Sequence, residues 1–512
     1  MRTRRVTCHA RVVEGTDTTT GAGKAPSTAM TPMVPDGFLF GVATAAFQIE
    51  GGMNGPGEPA NNWAEWEADG KVEPSGIALD FWNDYEPLLD RASALGCTSF
   101  RLSIDWARCE PSYGEIDEKA FERYRRILDA CRARGLVPLV TLHHFTHPAW
   151  LGTSFWIEDG APERFSRWVA NVMERLGDRC QHWVTVNELN ILAIQSWMTG
   201  DYPPGRRFDH HNAVRALDHL AAAHVKAYDI VHSHRPDAVV GTNNYCLTPY
   251  ELDHMVTDVF LARKYGVDRR DLTEWLATRR DMHRAALPVP GRRRTRIAEA
   301  ALARLTSRLV PLDAFRCAAD AVYDAATDRT IDVVQLDFYA PIAAAHFRLP
   351  GHRTAGGRSM LPVRELWDDG PDPAGLAAFC RAYAEPGLDV WIVENGLCTR
   401  VRNGRSYPRH DGWDRVRYIE ENLAAMAQVI AEGVPVTGYW HWTLADNYEW
   451  GSYEPRCGLY AVDRERGIVL AEHDALGHDA AGAYRRAIER LRSPGAGNRS
   501  GRAFPGAAPG RA

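Results

Sequence analysis

The sequence predicts an α/β fold, a single (β/α)8 TIM barrel, from two observations. Eight short runs rich in Val, Ile, Phe, Tyr and Trp recur along the chain, and amphipathic helical stretches lie between them. Strands and helices that alternate in this number are typical of one parallel barrel. A doubly wound open sheet is the main alternative, but no Gly-x-Gly-x-x-Gly sequence follows the first run.

The predicted elements follow one another from residue 38 onwards. The strands are expected at 38–45, 99–106, 137–144, 182–188, 239–245, 332–339, 389–394 and 436–444. Helices are predicted over 121–134, 162–176 and 415–431, because apolar residues recur there at every third or fourth position and a glycine comes shortly after. The connection from the fifth to the sixth predicted strand, residues 246–330, is unusually long, so we expect it to add helices to the barrel.

The chain ends differ in composition from the part between them. Residues 1–34 and 491–512 are rich in Gly, Pro, Ala, Ser and Thr and are predicted to be disordered, which leaves 35–490 as the folded domain. A net charge of −6 argues against binding to nucleic acid or to an anionic membrane, and no run has the length of a membrane span. The ten cysteines lack Cys-x-x-Cys spacing, which predicts reduced thiols and a cytoplasmic protein. Nothing in the sequence indicates the oligomeric state.

Two glutamates close two of the predicted strands, Glu188 the fourth and Glu394 the seventh. In a barrel the carboxyl ends of the strands surround one pocket, where two carboxyl groups can divide nucleophilic and acid/base work on an acetal. Arg101 near Glu394 is expected to keep that group ionised, whereas Glu188, less solvated and beside a like charge, keeps its proton longer. For one glutamate alone, a solvated or salt-bridged carboxylate is the simpler explanation.

Other polar and aromatic residues also fall at strand ends. They are Gln48, Arg101, His144, Asn187, Tyr339, Trp442, Glu449 and Trp450. Aromatic faces pack on the C–H face of a pyranose while carboxylates and amides bind its hydroxyls, although residues 439–450 could also form a Trp-rich core segment. We predict no metal site at His143 and His144, because adjacent strand residues point to opposite faces.

Together these motifs resemble glycoside hydrolase family 1, the β-glucosidase and β-galactosidase family, over roughly residues 36–490. The stretches that carry the resemblance are FLFGVATAAFQIEG from Phe38, FRLSIDWAR from Phe100, TLHH from Thr141, TVNE ending at Glu188 and IVENG around Glu394. It implies that Glu394 is the nucleophile and Glu188 the acid/base. It also implies sugar-binding roles for Gln48, His144, Asn187, Tyr339 and Glu449, a Trp442 and Trp450 platform, and orientation of Glu394 by Arg101 and Tyr339.

Four positions depart from the family pattern. Leu189 replaces a usual Pro, Phe145 a Trp, and Cys457 an aromatic residue, while Asp337 stands where the family has Asn. These changes concern the pocket walls and hence the identity of the sugar and the aglycone.

The resemblance implies a retaining β-glycosidase without a cofactor, acting on a small-molecule glycoside. Its catalytic carboxyl groups are then expected about 5–5.5 Å apart. Glu449 favours an unphosphorylated sugar, because a carboxylate repels a phosphate. The alternatives are a transglycosidase or tailoring glycosidase that acts on a bulky natural product, and a sugar-binding protein on a degenerate barrel.

Overall fold

The computed structural model of the chain describes residues 34–287, 293–343, 370–402 and 405–492. The predicted disorder of the two ends concerns residues that lie, with few exceptions, outside these ranges. Within them, none of the helices is long and apolar enough to cross a membrane. The nine described cysteines are unpaired, and all except Cys317 are buried.

The barrel strands are parallel and lie where the sequence predicts them. They are β1 Leu39–Ala43, β2 Ser99–Ser103, β3 Val137–Thr141, β4 His182–Val184, β5 Val239–Gly241, β6 Asn243–Tyr245, β7 Val333–Asp337, β8 Asp389–Asn395 and, after two short strands, β11 Val436–Trp442. Their order in the sheet is β5-β4-β3-β2-β1-β11-β8-β7-β6. Because β5 and β6 are halves of one strand broken at Thr242, the two ends of this order meet and the barrel closes.

Two small sheets accompany the barrel. The strands β9 Thr399–Arg402, β10 Arg405–Tyr407 and β12 Pro455–Arg456 form one, and β13 Val462–Asp463 pairs with β14 Val469–Leu470 in the other. The first of these follows directly after β8, so it lies at the carboxyl end of the barrel.

The helices surround the strands and confirm the three predicted from periodicity. They are α1 Ala46–Ile49, α2 Ala64–Ala68, α3 Glu86–Ala94, α4 Trp106–Cys109, α5 Glu118–Ala133, α6 Ala161–Leu176, α7 Leu189–Ile194, α8 His210–His234, α9 His254–Leu261, α10 Leu272–Ala286, α11 Arg293–Leu309, α12 Arg316–Asp324, α13 Pro373–Tyr383, α14 Arg415–Ala431 and α15 Ala480–Arg492. A π-helical segment, Gln195–Thr199, continues α7. The long connection supplies α9 to α12, as predicted. Aspartates cap α5 and α14, where Asp117 and Asp414 accept hydrogen bonds from backbone N–H groups of the first turn.

Large aromatic side chains fill the barrel interior. Trp440 lies across the barrel, where its indole Nε1 donates to Ser99 Oγ at 3.0 Å. Glycines make room for it, since a Cβ at Gly41 would lie 2.3 Å from the Trp440 ring and one at Gly438 would lie 2.5 Å from it. Packing of this density keeps the barrel from being a channel, so the ends of the strands form the floor of a pocket.

Candidate active site

The carboxyl ends of the strands open into a cavity of about 1040 Å³. Glu188 and Glu394 both line it, although they come from opposite sides of the barrel. One carboxyl oxygen of Glu188, one of Glu394 and one of Asp337 lie within 4.8 Å of one another. The cavity therefore holds a close group of three acidic side chains.

Glu394, in β8, is held by two donors. The Arg101 Nη1 atom lies 2.6 Å from one carboxyl oxygen, and the Tyr339 hydroxyl donates to the other at 2.8 Å. Arg101 is fully buried and is itself fixed by Thr141 Oγ1 at 3.2 Å and Asn187 Oδ1 at 2.5 Å. Burial raises the pKa of Glu394, and Arg101 and Tyr339 act in the opposite direction.

Glu188 lies four residues beyond the last residue of β4, so the predicted strand 182–188 is too long at its carboxyl end. Its backbone is left-handed, with φ 39°, and α7 begins at the next residue. Burial and the nearby Glu394 charge raise the pKa of Glu188 well above its ordinary value. The positive charge of Arg101 lowers this pKa, but by less than the other two causes raise it. Glu394, which Arg101 contacts directly, is the carboxyl group that ionises more easily.

Several buried polar atoms around the two glutamates have no hydrogen-bond partner among the described residues, and three of the four residues that carry them line the cavity. These atoms are Gln48 Oε1, His144 Nδ1, Asn187 Nδ2 and Glu449 Oε2. Gln48 is oriented by Asn447, whose Oδ1 accepts from its Nε2 at 3.2 Å. Buried polar groups normally have hydrogen-bond partners, so this set suits a ligand with several hydroxyl groups.

Burial also determines the charge of two of these groups. It raises the pKa of Glu449 to about 8, with the Glu394 charge as the second cause. It lowers the pKa of His144 well below its ordinary value, which keeps the imidazole neutral. Glu449 is therefore mainly a neutral carboxylic acid at pH 7, able both to donate and to accept a hydrogen bond.

The aromatic wall consists of Trp442 and Trp450, with the His144 ring 6.0 Å and 5.5 Å from them. Phe145, which replaces the usual Trp, packs edge-on against Trp450 at 4.8 Å. Cys457 forms a side-chain hydrogen bond with Cys398 below this wall. Phe145 thus contacts Trp450 directly, and the residue at 457, where the family pattern has an aromatic side chain, is a thiol next to a second thiol.

Asn243 is a site residue that the sequence interpretation missed. Its Nδ2 donates to Asn187 Oδ1 at 3.0 Å and, over a very short distance, to Asp337 Oδ2. The rule that polar side chains cluster at strand ends could have identified it, since it lies in β6. Its neighbour Tyr245 stacks on Tyr339, with ring centroids 5.5 Å apart.

Two groups of side chains in the described part of the chain have the spacing to hold a metal ion. They are His254, Asp258 and Glu385, and the three acids Glu188, Asp337 and Glu394. Arg279 forms salt bridges with Asp258 and Glu385, and Arg101 with Glu394. A guanidinium therefore already supplies positive charge to each group.

One wall of the outer part of the cavity is apolar. Side chains from α7, the π-helical segment, the loop before α8 and α11 line it: Ile191, Ile194, Met198, Phe208, Leu302, Leu305 and Leu309. Phe208 is 66% exposed and Leu305 is 50% exposed, so both face the opening instead of the core. This apolar wall contrasts with the polar inner part around the glutamates, although Gln195, Asp201 and Arg207 also line the cavity.

The sequence profile described as Glycosyl hydrolase family 1 matches residues 30–269 and 372–472. The chain belongs to this family. A β-glucosidase from an Agrobacterium species is 30% identical over 467 residues, which cover 87% of this chain and 94% of the relative. A β-glucosidase A from Thermotoga maritima is 26% identical, over 84% of this chain and 93% of the relative. A 6-phospho-β-galactosidase 1 from Streptococcus pneumoniae is also 26% identical, over 86% of this chain and 97% of the relative.

A solved structure has the same fold. The β-glucosidase from Thermotoga maritima in complex with noeuromycin superposes with a TM-score of 0.68 at 23% identity, covering 90% of this chain and 99% of the other. This family 1 protein is a glycoside hydrolase with a sugar substrate. The sugar-binding protein without activity, considered from the sequence, is thereby set aside.

Proposed function

We propose that the enzyme is a retaining β-glycosidase that removes a terminal β-glucoside-like sugar, with Glu394 as the nucleophile and Glu188 as the acid/base. The observation that carries the proposal is the closeness of their carboxyl oxygens, within 4.8 Å. Retaining enzymes place these groups about 5–5.5 Å apart, whereas inverting enzymes leave about 6.5–9.5 Å for a water molecule.

The electrostatics support this division of roles. A nucleophile must be ionised, and Glu394 contacts both Arg101 and Tyr339. An acid must hold its proton, and the pKa of Glu188 is raised well above its ordinary value. In the first step Glu394 attacks the anomeric carbon while Glu188 protonates the departing oxygen. In the second, Glu188 deprotonates the water that releases the sugar from Glu394.

Azide rescue of two variants tests the assignment. Glu394→Ala should lose activity, and azide should enter the cavity and give the α-glycosyl azide from an activated β-glycoside. Glu188→Ala should give the β-glycosyl azide, because the covalent intermediate still forms. The opposite pair of products would reverse the two roles, and α-glycosyl azide from both variants would exclude the covalent mechanism.

We also propose that the sugar is unphosphorylated. Glu449 hydrogen-bonds with Gln48 and Trp442, two neutral groups, at the place that the family resemblance assigns to the distal hydroxyls. A neutral carboxylic acid suits hydroxyls, and the carboxylate present at higher pH would repel a phosphate dianion. Specificity constants for an aryl β-glucoside and its 6-phosphate, each measured at pH 6 and pH 8.5, test this. Preference for the phosphorylated sugar would contradict the proposal.

A second candidate is a tailoring glycosidase or a transglycosidase that acts on a bulky, apolar aglycone. The apolar outer region favours it, because exposed Phe208 and Leu305 at the opening gain a partner only when an apolar group binds there. Leu305 is 50% exposed, so covering it gains about half of the 1.5–3 kcal/mol of a full leucine burial, or about 4- to 12-fold in binding.

The Leu305→Asn variant tests this candidate. It should raise KM for a glucoside with a large hydrophobic aglycone and leave methyl glucoside unchanged. Ile297→Asn is the matched control, because Ile297 is also exposed on α11, at 59%, but does not line the cavity. Equal effects of the two variants would contradict an aglycone site. Product analysis with a hydrophobic alcohol as acceptor distinguishes transfer from hydrolysis.

A further inference from the structure

Two cysteines lie opposite each other in the small sheet at the carboxyl end of the barrel. Cys398 comes directly before β9, and Cys457 directly after β12. Because Thr399 pairs with Arg456 in the antiparallel register, the next step along the two strands places Cys398 opposite Cys457. Among the described cysteines, these two alone line the active-site cavity. The register therefore brings together the two thiols that the cavity can reach.

A buried guanidinium holds the backbones of the two cysteines together. Arg415 Nη2 donates to Leu397 O at 3.0 Å and to Arg456 O at 2.8 Å, the carbonyl groups that precede the cysteines. Opposed residues of an antiparallel pair have Cα atoms about 4.5–5.5 Å apart, and a disulfide spans about 4.4–6.8 Å. A side-chain hydrogen bond between Cys398 and Cys457 agrees with this spacing. The frame thus suits a covalent link without backbone movement.

We propose that Cys398 and Cys457 are a redox-active thiol pair, a modification site that a small organic disulfide entering the cavity closes into an internal disulfide. One thiolate attacks a sulfur of the reagent, the reagent's S–S bond breaks, and half of it leaves as a thiolate. The second cysteine, deprotonated, attacks the sulfur now bonded to the protein, and the other half leaves. The pair loses two protons and two electrons, and the reagent takes them up as two thiols.

The surroundings of Cys457 determine how fast this happens. Its contact with Cys398 and its burial raise the pKa of the Cys457 thiol well above the ordinary value. Two charged groups act on it as well, Glu449 in the same direction and Arg415 in the opposite one. Since the thiolate is the nucleophile, the reaction is slow at neutral pH and is best followed at pH 8.5.

The new bond acts on the sugar pocket through the segment that leads to Cys457. This segment carries Glu449 and Trp450, which line the cavity, while Cys398 follows Glu394 by four residues. A covalent link between the two walls restrains the sugar-binding side chains, so the closed form binds the sugar less tightly. This consequence rests on the proposed function, whereas closure of the bond does not.

Peptide mapping tests whether the bond closes. The folded enzyme is treated with hydroxyethyl disulfide at pH 8.5, the remaining thiols are alkylated in denaturant, and the digest is analysed by mass spectrometry. The peptides that contain Cys398 and Cys457 should be joined, with the loss of two hydrogen atoms. Cys398→Ser should instead keep a hydroxyethylthio group on Cys457, and Cys457→Ser should keep one on Cys398. Alkylation of both cysteines in the unmodified enzyme, or a lasting hydroxyethylthio group on either, would overturn the proposal.

Kinetics tests the consequence for the pocket. Closure should raise KM for an aryl β-glucoside by about 3-fold or more, and dithiothreitol should restore it. The double variant Cys398→Ser, Cys457→Ser should not respond to the reagent. Cys317→Ser, which removes an exposed thiol on α12, should respond as the unmodified enzyme does. An unchanged KM of the cross-linked enzyme would refute the effect on sugar binding. If azide rescue contradicts the roles of the glutamates while the cross-link forms, the catalytic assignment fails and the thiol pair stands.

Discussion

The substitution Glu449→Gln is expected to remove a pH dependence from the folding stability of the enzyme. Burial raises the pKa of Glu449 in the folded chain to about 8, against an ordinary value of 4.5. Between these two values the folded state keeps a proton that the unfolded state has lost. The folded state therefore binds more protons, and its stability must decrease as the pH rises from about 4.5 to about 8.

The size of this effect follows from the two pKa values. A difference of one unit corresponds to about 1.4 kcal/mol, so the interval from 4.5 to about 8 gives an upper value of about 5 kcal/mol. Water in the cavity screens the charge, and we expect about 3 to 5 kcal/mol. At about 2.1 cal/mol/K per residue, a chain of 512 residues loses about 1 °C in Tm for each kcal/mol.

Thermal unfolding of the two proteins at pH 5 and pH 8.5 measures the difference. The Tm of Glu449→Gln minus the Tm of the unmodified enzyme should be about 3 to 5 °C larger at pH 8.5 than at pH 5. Glu65→Gln, at an exposed position of α2, serves as the surface control. A Tm difference between Glu449→Gln and the unmodified enzyme that is the same at both pH values would show that burial does not hold a proton on Glu449.

Three further outcomes are expected. Arg101→Met should lower kcat/KM at pH 7 by about 100-fold or more, because Arg101 lowers the pKa of Glu394. The acidic limb of the kcat/KM pH profile should move to higher pH, and an unmoved limb would contradict this. Gly396→Ala should destabilise the fold by about 3 kcal/mol or more in urea unfolding, because its Cβ would lie 1.9 Å from the Trp442 carbonyl oxygen; near-native stability would refute it. Cellobiose should be a poorer substrate than an aryl glucoside, because Phe145 and Cys457 alter the aromatic wall of the pocket. Equal turnover of the two substrates would show that these two residues do not change specificity.

The sequence was most informative where one physical rule acts over a short stretch. Buried parallel strands need apolar, β-branched runs, and all eight were located from that pattern. The ends of the strands were less predictable. The predicted fourth strand continued to Glu188, whereas β4 ends at Val184, because a left-handed backbone at a non-glycine residue leaves no mark in an apolar pattern. The break between β5 and β6 at Thr242 likewise has no signature in the sequence pattern.

The site shows the same limit. Strand ends meet in a barrel, so Glu188 and Glu394 could be paired from their positions alone, and Asp337 could be expected near the pocket. Its place within 4.8 Å of both glutamates and the very short contact from Asn243 depend on side-chain directions that a linear pattern does not give. The apolar outer region depends on α11, whose packing no local pattern reveals.

The position of α11 has a consequence for how this enzyme could change. The family profile matches residues 30–269 and 372–472, so α11, at Arg293–Leu309, lies in the unmatched interval. Both glutamates and Arg101 belong to the matched segments, whereas Tyr339 and β7 lie in the unmatched interval together with this helix, which contributes to the outer wall of the cavity. We therefore expect mutations in α11 to leave bond cleavage undisturbed, and an exchange of α11 alone, which keeps β7 and Tyr339 in place, to change leaving-group preference.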